Sequence, residues 1–216
     1  VQVTSADAQI VTFSSSGTIQ ELDLAYTYAG EHAYVYLSGG NFGVIRNSIT
    51  DSDGQPVPRL ASTLLPMAGY VFRASDGSYI PSTEPFTVLT SVTPVVCRHT
   101  EVDDATGLCV CGVQFVAKVN DAYYYKTIQE ALNRGSGTIK LLKDCQEAAT
   151  ISSSTHTIDL NGKTWSSSWN VLTIKGGSVT LENGSLISSD GSDAGSGIVM
   201  QGGSLTLKEG MLIQGG

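Results

Sequence analysis

Three cysteines and one histidine near the middle of the chain carry the side chains best suited to chemistry. They are Cys97, His99, Cys109 and Cys111. Thiolate and imidazole groups are the ligands of closed, tetrahedral zinc sites, so these four residues can hold one structural Zn²⁺ ion. A disulfide from Cys97 to Cys109 or Cys111 is the alternative in an oxidising environment, and free thiols are the third interpretation.

Covalent catalysis by these side chains is less well supported. A nucleophilic cysteine needs a base and a group that orients that base, and the sequence identifies no such group near His99. Cys145 lies apart from the other three cysteines, directly after a predicted strand. We expect Cys145 to be a small apolar side chain in the protein interior.

A repeat in the C-terminal half indicates the scaffold that must position these groups. The segment 176–187 returns as 202–213, with eight of twelve residues identical and an offset of 26 residues. Self-similarity at this period is typical of one coil of a solenoid. Because a single coil has too few apolar residues to form a core, its inward Ile, Val and Leu side chains must stack on those of the next coil.

Strand-like segments continue this pattern before the repeat. Equivalent core positions, spaced by 19, 21 and 26 residues, are predicted at Ile139, Ile158, Val179 and Leu205. Sharp corners, where glycine supplies a positive φ, are predicted at Asn161-Gly162, Asn183-Gly184 and Glu209-Gly210.

One short helix, residues 127–133, is predicted before the first coil. Thr127 and Glu130 match a capping box. An apolar face follows at helical spacing, formed by Ile128, Ala131 and Leu132. Because the first coil of a solenoid would expose an unpaired strand edge, we predict that this helix covers that end.

These elements predict an all-β protein with four parts. Residues 1–50 are interpreted as the C-terminal coils of an upstream β-solenoid, residues 51–96 as a small β-hairpin spacer, and residues 97–118 as a Cys/His knuckle. Residues 119–216 are predicted to form the capping helix and the first coils of a right-handed parallel β-helix. The repeat is cut off in its second copy, so we interpret the chain as a monomeric segment of a longer protein.

The charge balance argues against two classes of partner. The net charge is −8 with only 12 Lys and Arg residues, whereas nucleic-acid binding needs clustered positive charge. A polybasic patch for anionic lipid is absent for the same reason. No apolar run reaches the roughly 18 residues that a membrane-spanning helix needs. We therefore expect neither nucleic-acid binding nor membrane insertion.

Aromatic residues supply the candidate ligand contacts. Trp165 and Trp169 bracket three serines, and indoles in such a position can stack on sugar rings or anchor a protein. The alternative is that one or both pack against a neighbouring coil. Tyrosine is common in interfaces and in ordinary strands, and the tyrosine candidates are Tyr123, Tyr124, Tyr34 and Tyr36.

Several ordered motifs carry a resemblance to a known family. They are Cys97-Arg98-His99, Gly107-Leu108-Cys109-Val110-Cys111-Gly112, the segment 124–132, and Ile158-Asp159-Leu160-Asn161-Gly162. In this order they resemble large modular surface proteins of gut-dwelling anaerobic bacteria. Those proteins carry a Cys-x-His … Gly-x-Cys-x-x-Cys-Gly knuckle followed by a pectin-lyase-like right-handed β-helix. This chain departs from the pattern with one residue, not two, between Cys109 and Cys111.

The resemblance implies an extracellular protein attached to a bacterial cell surface or cell wall. We expect a non-catalytic module that presents a rigid surface to a host glycan or host protein, with mucin and immunoglobulin as examples. A purely structural stalk is one alternative. A carbohydrate-active β-helix enzyme is the other, although the acidic residues of the repeats are scattered and no arginine follows Arg134.

Overall fold

The computed structural model describes residues 10–14, 16–24, 34–189 and 195–215. Strands account for 49% of the structure and helix for 5%, which confirms the predicted all-β class and the parallel β-solenoid. The chain divides into two compact units. The first contains Val1–Val102 with Cys109–Val113, and the second contains Asp103–Leu108 with Gln114–Gly216.

Short strands dominate the first unit. A single 3-10 helix, Ala61–Leu64, lies among them. In chain order the strands are β1 Ile10–Phe13, β2 Thr18–Asp23, β3 Tyr34–Leu37, β4 Asn41–Arg46, β5 Arg59–Leu60, β6 Tyr70–Ala74, β7 Tyr79–Ile80, β8 Pro85–Phe86 and β9 Val88–Val96.

This unit contains both parallel and antiparallel strand pairs. Strand β1 pairs in parallel with β3, and β2 pairs in parallel with β4, as stacked coils do. Strand β4 then pairs antiparallel with β9 in a five-stranded sheet of order β2-β4-β9-β6-β7. That sheet contains strands from both sides of residue 50, and the division into modules at that residue stays a prediction. Buried apolar side chains such as Leu22, Phe42 and Phe72 form the core.

The second unit contains the capping helix and the repeated coils. The helix α1 is Ile128–Asn133. The strands are β10 Ala117–Val119, β11 Tyr123–Tyr125, β12 Gly137–Leu141, β13 Cys145–Gln146, β14 Ala149–Ile151, β15 Thr155–Asp159, β16 Thr164–Ser167, β17 Leu172–Ile174, β18 Ser178–Glu182, β19 Gly184–Ser188, β20 Ile198–Met200, β21 Ser204–Leu207 and β22 Met211–Gln214.

Three stacks of parallel strands run through this unit. Their orders are β12-β15-β18-β21, β13-β16-β19-β22 and β14-β17-β20. The repeat detected in the sequence is real, since Val179 of β18 lies beside Leu205 of β21 in parallel register. Each of the first three coils adds one strand to each stack, and the last described coil adds β21 and β22, so the inward side chains form one continuous core.

Two details of the predicted register are wrong. Ile158 pairs with Leu181, not with Val179, whose partner in β15 is His156. Within the repeat, Leu186 pairs with Ile213, although the sequence identity matches it to Leu212. The first error follows from the two-residue period of a strand, since a shift by two keeps the same face inward. The second follows from one extra residue at the corner between β21 and β22.

The predicted helix covers the end of the solenoid. Its buried residues Ile128, Ala131 and Leu132 belong to the same core cluster as the inward side chains of the coils. The Thr127 hydroxyl accepts from the backbone N–H of Glu130 at 3.1 Å, as the capping pattern predicted. The antiparallel hairpin β10–β11, which was not predicted, covers the edge of β12 through the pairing of β10 with that strand. In the described ranges, no helix has the length and apolar character needed to cross a bilayer.

Candidate metal centre

The four predicted ligands meet in the first unit. One ligand atom from each of Cys97, His99, Cys109 and Cys111 lies within 4.8 Å of all the others. The Cys97 and Cys109 sulfurs are 3.5 Å apart. The His99 Nδ1 atom lies 3.5 Å from the sulfur of Cys109 and 3.5 Å from that of Cys111.

The three separations of 3.5 Å are close to those of a tetrahedral metal site. With Zn–S bonds of about 2.3 Å and Zn–N bonds of about 2.0–2.1 Å, a tetrahedron places two sulfurs about 3.8 Å apart and a sulfur and a nitrogen about 3.6 Å apart. The three observed distances of 3.5 Å lie close to those edges. The group is therefore close enough to hold a metal ion.

The first pair of ligands lies just after β9. The backbone N–H of Cys97 donates to the carbonyl of Gly69 at 2.6 Å, which ties the residue to the turn before β6. His99 has a positive φ of 56°, a conformation that costs a non-glycine residue on the order of 1 kcal/mol or more. The turn brings the His99 N–H within 3.3 Å of the Cys97 sulfur, so it folds both side chains toward one point.

The second pair of ligands lies in a tight turn. Cys109 pairs with Val102 in an isolated antiparallel bridge. The N–H of Gly112 donates to the Cys109 carbonyl at 2.8 Å, and Gly112 has a φ of +82°. A side chain at Gly112 would also meet the hydroxyl of Ser82. Glycine is needed here for both reasons, and the turn places Cys109 and Cys111 on the same side.

Ser82 holds this turn in place. The backbone N–H of Ser82 donates to the carbonyl of Val110, the residue between the two cysteines, at 2.7 Å. Ser82 is itself buried, with 2% of its surface exposed. The turn 80–84 was not predicted to matter for the knuckle, because no sequence pattern links residues 28 positions apart in a non-repeating region.

Burial controls the ionisation of the thiols. Cys97, Cys109 and Cys111 are all buried free thiols. Burial raises the pKa of Cys97 and raises the pKa of Cys109 to about 12. Without a nearby cation the Cys97 and Cys109 thiols keep their protons, whereas a bound divalent metal supplies the charge that makes a coordinating thiol a thiolate.

Cys145 lies outside this group, in the second unit. It is partly buried and packs against the solenoid core, which agrees with its predicted role as a small apolar side chain. Burial, and then the nearby carboxylates of Glu147 and Asp144, raise the pKa of its thiol to about 12.

The two tryptophans occupy opposite environments. Trp165 is fully buried in the solenoid core, and its indole N–H donates to the carbonyl of Glu147 at 2.8 Å. Trp169, four residues later, keeps 52% of its surface exposed. Alternation along β16 turns Trp165 inward, and the chain leaves the strand before it reaches Trp169.

The tyrosine candidates take part in more local contacts than Trp169 does. Tyr123 is 51% exposed, but the Arg134 guanidinium lies over its ring at 4.9 Å. Tyr124 packs against Phe115, and its hydroxyl donates to Asp104 at 2.9 Å. Tyr36 is half-buried in β3. The side chain of Tyr34 is outside the described residues.

His156 is a buried polar residue that no sequence pattern indicated. It is 2% exposed in the solenoid core, and neither ring nitrogen has a hydrogen-bond partner. Burial lowers the pKa of its imidazole. The alternation of Thr155, His156 and Thr157 along β15 points the His156 side chain inward. Matching Ile158 to Val179 hid this position, because Val179 in fact pairs with His156.

Carboxylates in the described coils are dispersed. Asp159 accepts hydrogen bonds from the backbone of Asn161 at 2.8 Å and from the side chain of Asn183 at 3.1 Å, and Glu182 pairs with Lys208. Asp190 and Asp193 are outside the described residues. Across the part of the chain that the structure describes, the group of Cys97 and its three partners is the one set of three or more metal-ligating side chains that comes together.

Comparisons with protein-family models, with curated proteins and with solved structures find no match to this chain.

Proposed function

We propose that this chain is a non-catalytic, extracellular segment of a large bacterial surface protein, and that it presents a rigid solenoid surface to a host glycan or host protein. The observation that carries this proposal is the in-register stacking of the coils beneath a capped end. Stacked coils form extended, repetitive surfaces that keep their shape without a ligand. A preformed surface reduces the ordering cost of binding.

The resemblance of the knuckle and the coils to surface proteins of gut anaerobes supports the location. On that basis the partner is a host glycoprotein, a free glycan or an immunoglobulin. We propose that the segment acts as a monomer. No nucleic acid is expected as a partner, given the net charge of −8.

The knuckle takes a structural role in this proposal. We propose that Cys97, His99, Cys109 and Cys111 bind one Zn²⁺ ion. Four protein ligands leave no open position for substrate or water. The ion would hold the segment 97–102 to the segment 109–113, and would supply order to a region that has few buried apolar side chains of its own.

Elemental analysis of the full chain tests the zinc proposal. We expect one zinc per chain, lost in Cys109→Ser and retained in the matched control Cys145→Ser, because Cys145 lies outside the cluster. Zinc retained by Cys109→Ser would contradict the proposal. So would metal-free protein in which mass spectrometry finds Cys97 bonded to Cys109 or Cys111.

A glycan array and pull-downs from host mucus and serum test the display function. We expect the folded chain to retain a glycan or a specific host protein, and the heat-denatured chain to retain neither. Failure of both assays would leave the structural stalk as the function. Release of products from polygalacturonate or mucin glycans would favour a carbohydrate-active enzyme instead.

A further inference from the structure

The exposed indole of Trp169 extends from backbone that is hydrogen-bonded on both sides. The Trp169 N–H donates to the hydroxyl of Ser167 at 3.3 Å, and its carbonyl accepts from the hydroxyl of Ser188 at 2.7 Å. Both serines are buried, at 6% and 5% exposure. Two buried hydroxyls therefore fix the main chain on either side of a side chain that is 52% exposed.

The neighbouring residue is fixed as well. The side-chain oxygen of Asn170 accepts from the N–H of Ser196 in the next coil at 3.1 Å. The N–H of Ser189 donates to the carbonyl of Ser167 at 2.8 Å. The corner between β16 and β17 is thus tied to the coil above it by backbone and side-chain hydrogen bonds, so the position of the indole is set before any ligand arrives.

The indole itself remains available. The indole of Trp169 has no aromatic, cationic or hydrogen-bond partner among the described residues; both hydroxyls bind the Trp169 backbone. Trp165, by contrast, is buried, and Tyr123 and Tyr124 already contact Arg134 and Phe115. Of the candidate aromatic residues whose side chains the structure describes, Trp169 alone combines high exposure with an uncommitted ring.

The described part of the surface around this indole is uncharged, while Asp190 and Asp193, in the loop between β19 and β20, are outside the described residues. No Asp, Glu, Lys or Arg occurs in the described segments 164–174, 183–189 and 195–207, which supply this corner and its stacked partners. Hydroxyl and amide groups take their place. In the preceding coil, the carboxylate of Glu147 accepts from the N–H of Ile128 at 2.7 Å, so it is committed to the capping helix.

From this combination we propose that Trp169 is the stacking platform of a binding site for a neutral sugar ring. One face of a pyranose carries C–H groups that pack on an indole, while its hydroxyls exchange hydrogen bonds with serine and asparagine side chains and with the indole N–H. The segments 164–174 and 183–207 contain no Lys or Arg to pair with carboxylate, sulfate or phosphate groups. The ligand class is therefore a neutral glycan, in preference to an acidic polysaccharide or an anionic protein surface.

This inference rests on the proposed display function and selects the glycan among its partners. The test uses the full chain and neutral trisaccharides of glucose, galactose, mannose and N-acetylglucosamine. Because Trp165 is buried, a change in tryptophan emission on titration reports Trp169. We expect saturable binding of at least one trisaccharide, weakened about tenfold or more in Trp169→Ala and less in Trp169→Phe. Tyr123→Ala is the matched control and should bind as the wild type does.

Binding of a neutral sugar should also be insensitive to added salt, unlike binding of polygalacturonate. Wild-type affinity in Trp169→Ala, with circular dichroism showing that the variant is folded, would overturn the inference and leave the display function intact. Capture of a host protein through Trp169 with no response to any sugar would do the same. Absence of both glycan and host-protein binding to the wild-type chain would overturn both proposals.

Discussion

The side-chain amide of Gln129 pairs with the backbone of Thr150 in the way that a neighbouring strand would. Its oxygen accepts from the Thr150 N–H at 2.8 Å, and its nitrogen donates to the Thr150 carbonyl at 3.2 Å. Thr150 is the central residue of β14, which lies at the end of its stack. Gln129 thereby satisfies groups that would otherwise be an open edge, and the helix protects this sheet by hydrogen bonding as well as by apolar packing.

We predict that Gln129→Met destabilises the second unit by about 1–3 kcal/mol, because it removes both hydrogen bonds while it keeps the volume of the side chain. Urea unfolding followed by tryptophan fluorescence measures the effect, since both tryptophans lie in that unit. Asn133→Ala is the control: it removes the bond from the Gln129 amide to Asn133 and leaves Thr150 paired. Equal midpoints for Gln129→Met and the wild type would show that the edge is satisfied by water.

The glycines of the coils give a second prediction. Gly177 and Gly162 both have positive φ, at 82° and 74°, which costs an alanine about 1–2 kcal/mol. A Cβ on Gly177 would in addition collide with the backbone carbonyl of Ser154 in the previous coil, whereas a Cβ on Gly162 would meet nothing within 4 Å. We therefore expect Gly177→Ala to lower the free energy of unfolding by more than Gly162→Ala does. Equal losses would mean that the coils separate freely at this corner.

Much of the architecture follows from local sequence signals. The repeat of 26 residues, the capped helix and the positive φ at Gly162 are predictable, because each depends on a few neighbouring residues. The register between coils is not, since a shift of two residues keeps the same face inward. The partner of Ile158 was therefore misassigned, and with it the place of His156 in the core.

The metal centre, like the coils, could be predicted from the sequence only in part. The residue types of Cys97, His99, Cys109 and Cys111 predicted the ligand set, and the structure brings them together. The Cys-x-Cys spacing is one residue shorter than in the pattern that the knuckle resembles. It does not prevent assembly, because the turn closed by Gly112 and held by Ser82 directs both sulfurs to the same point. The hydrogen bond from Ser82 to Val110 joins distant parts of the chain, so local patterns could not predict it.

The reactivity of the thiols provides a third prediction. The pKa of Cys145 is raised to about 12, so at pH 8 its thiolate fraction is roughly a thousandfold below that of a thiol with the ordinary pKa of 9.0. We expect Cys145 to react with iodoacetamide far more slowly in the native chain than in urea. With zinc bound, the three coordinating cysteines should also be protected, and a chelator should expose those three alone. Rapid native labelling of Cys145, located by peptide mass spectrometry, would contradict this account.

The buried imidazole of His156 predicts a specific loss of stability in mild acid. Burial lowers its pKa below the ordinary value of 6.5, so the unfolded chain binds a proton more readily than the folded chain does. The free energy of unfolding should therefore be highest above pH 6.5 and should fall as the pH drops below that value, until the pKa of the folded state is reached. Carboxylates with lowered pKa, such as Asp103 and Asp104, act only near or below their ordinary value of 3.8.

We expect His156→Val to remove this slope between pH 6.5 and 5, because valine is also the residue that stacks on this position at Val179 in the next coil. At pH 7 the variant should be at least as stable as the wild type, since it replaces a buried ring whose nitrogens lack hydrogen-bond partners. Urea unfolding at a series of pH values, followed by tryptophan fluorescence, measures both effects. A wild-type slope that persists in His156→Val would assign the acid sensitivity to another group in the second unit.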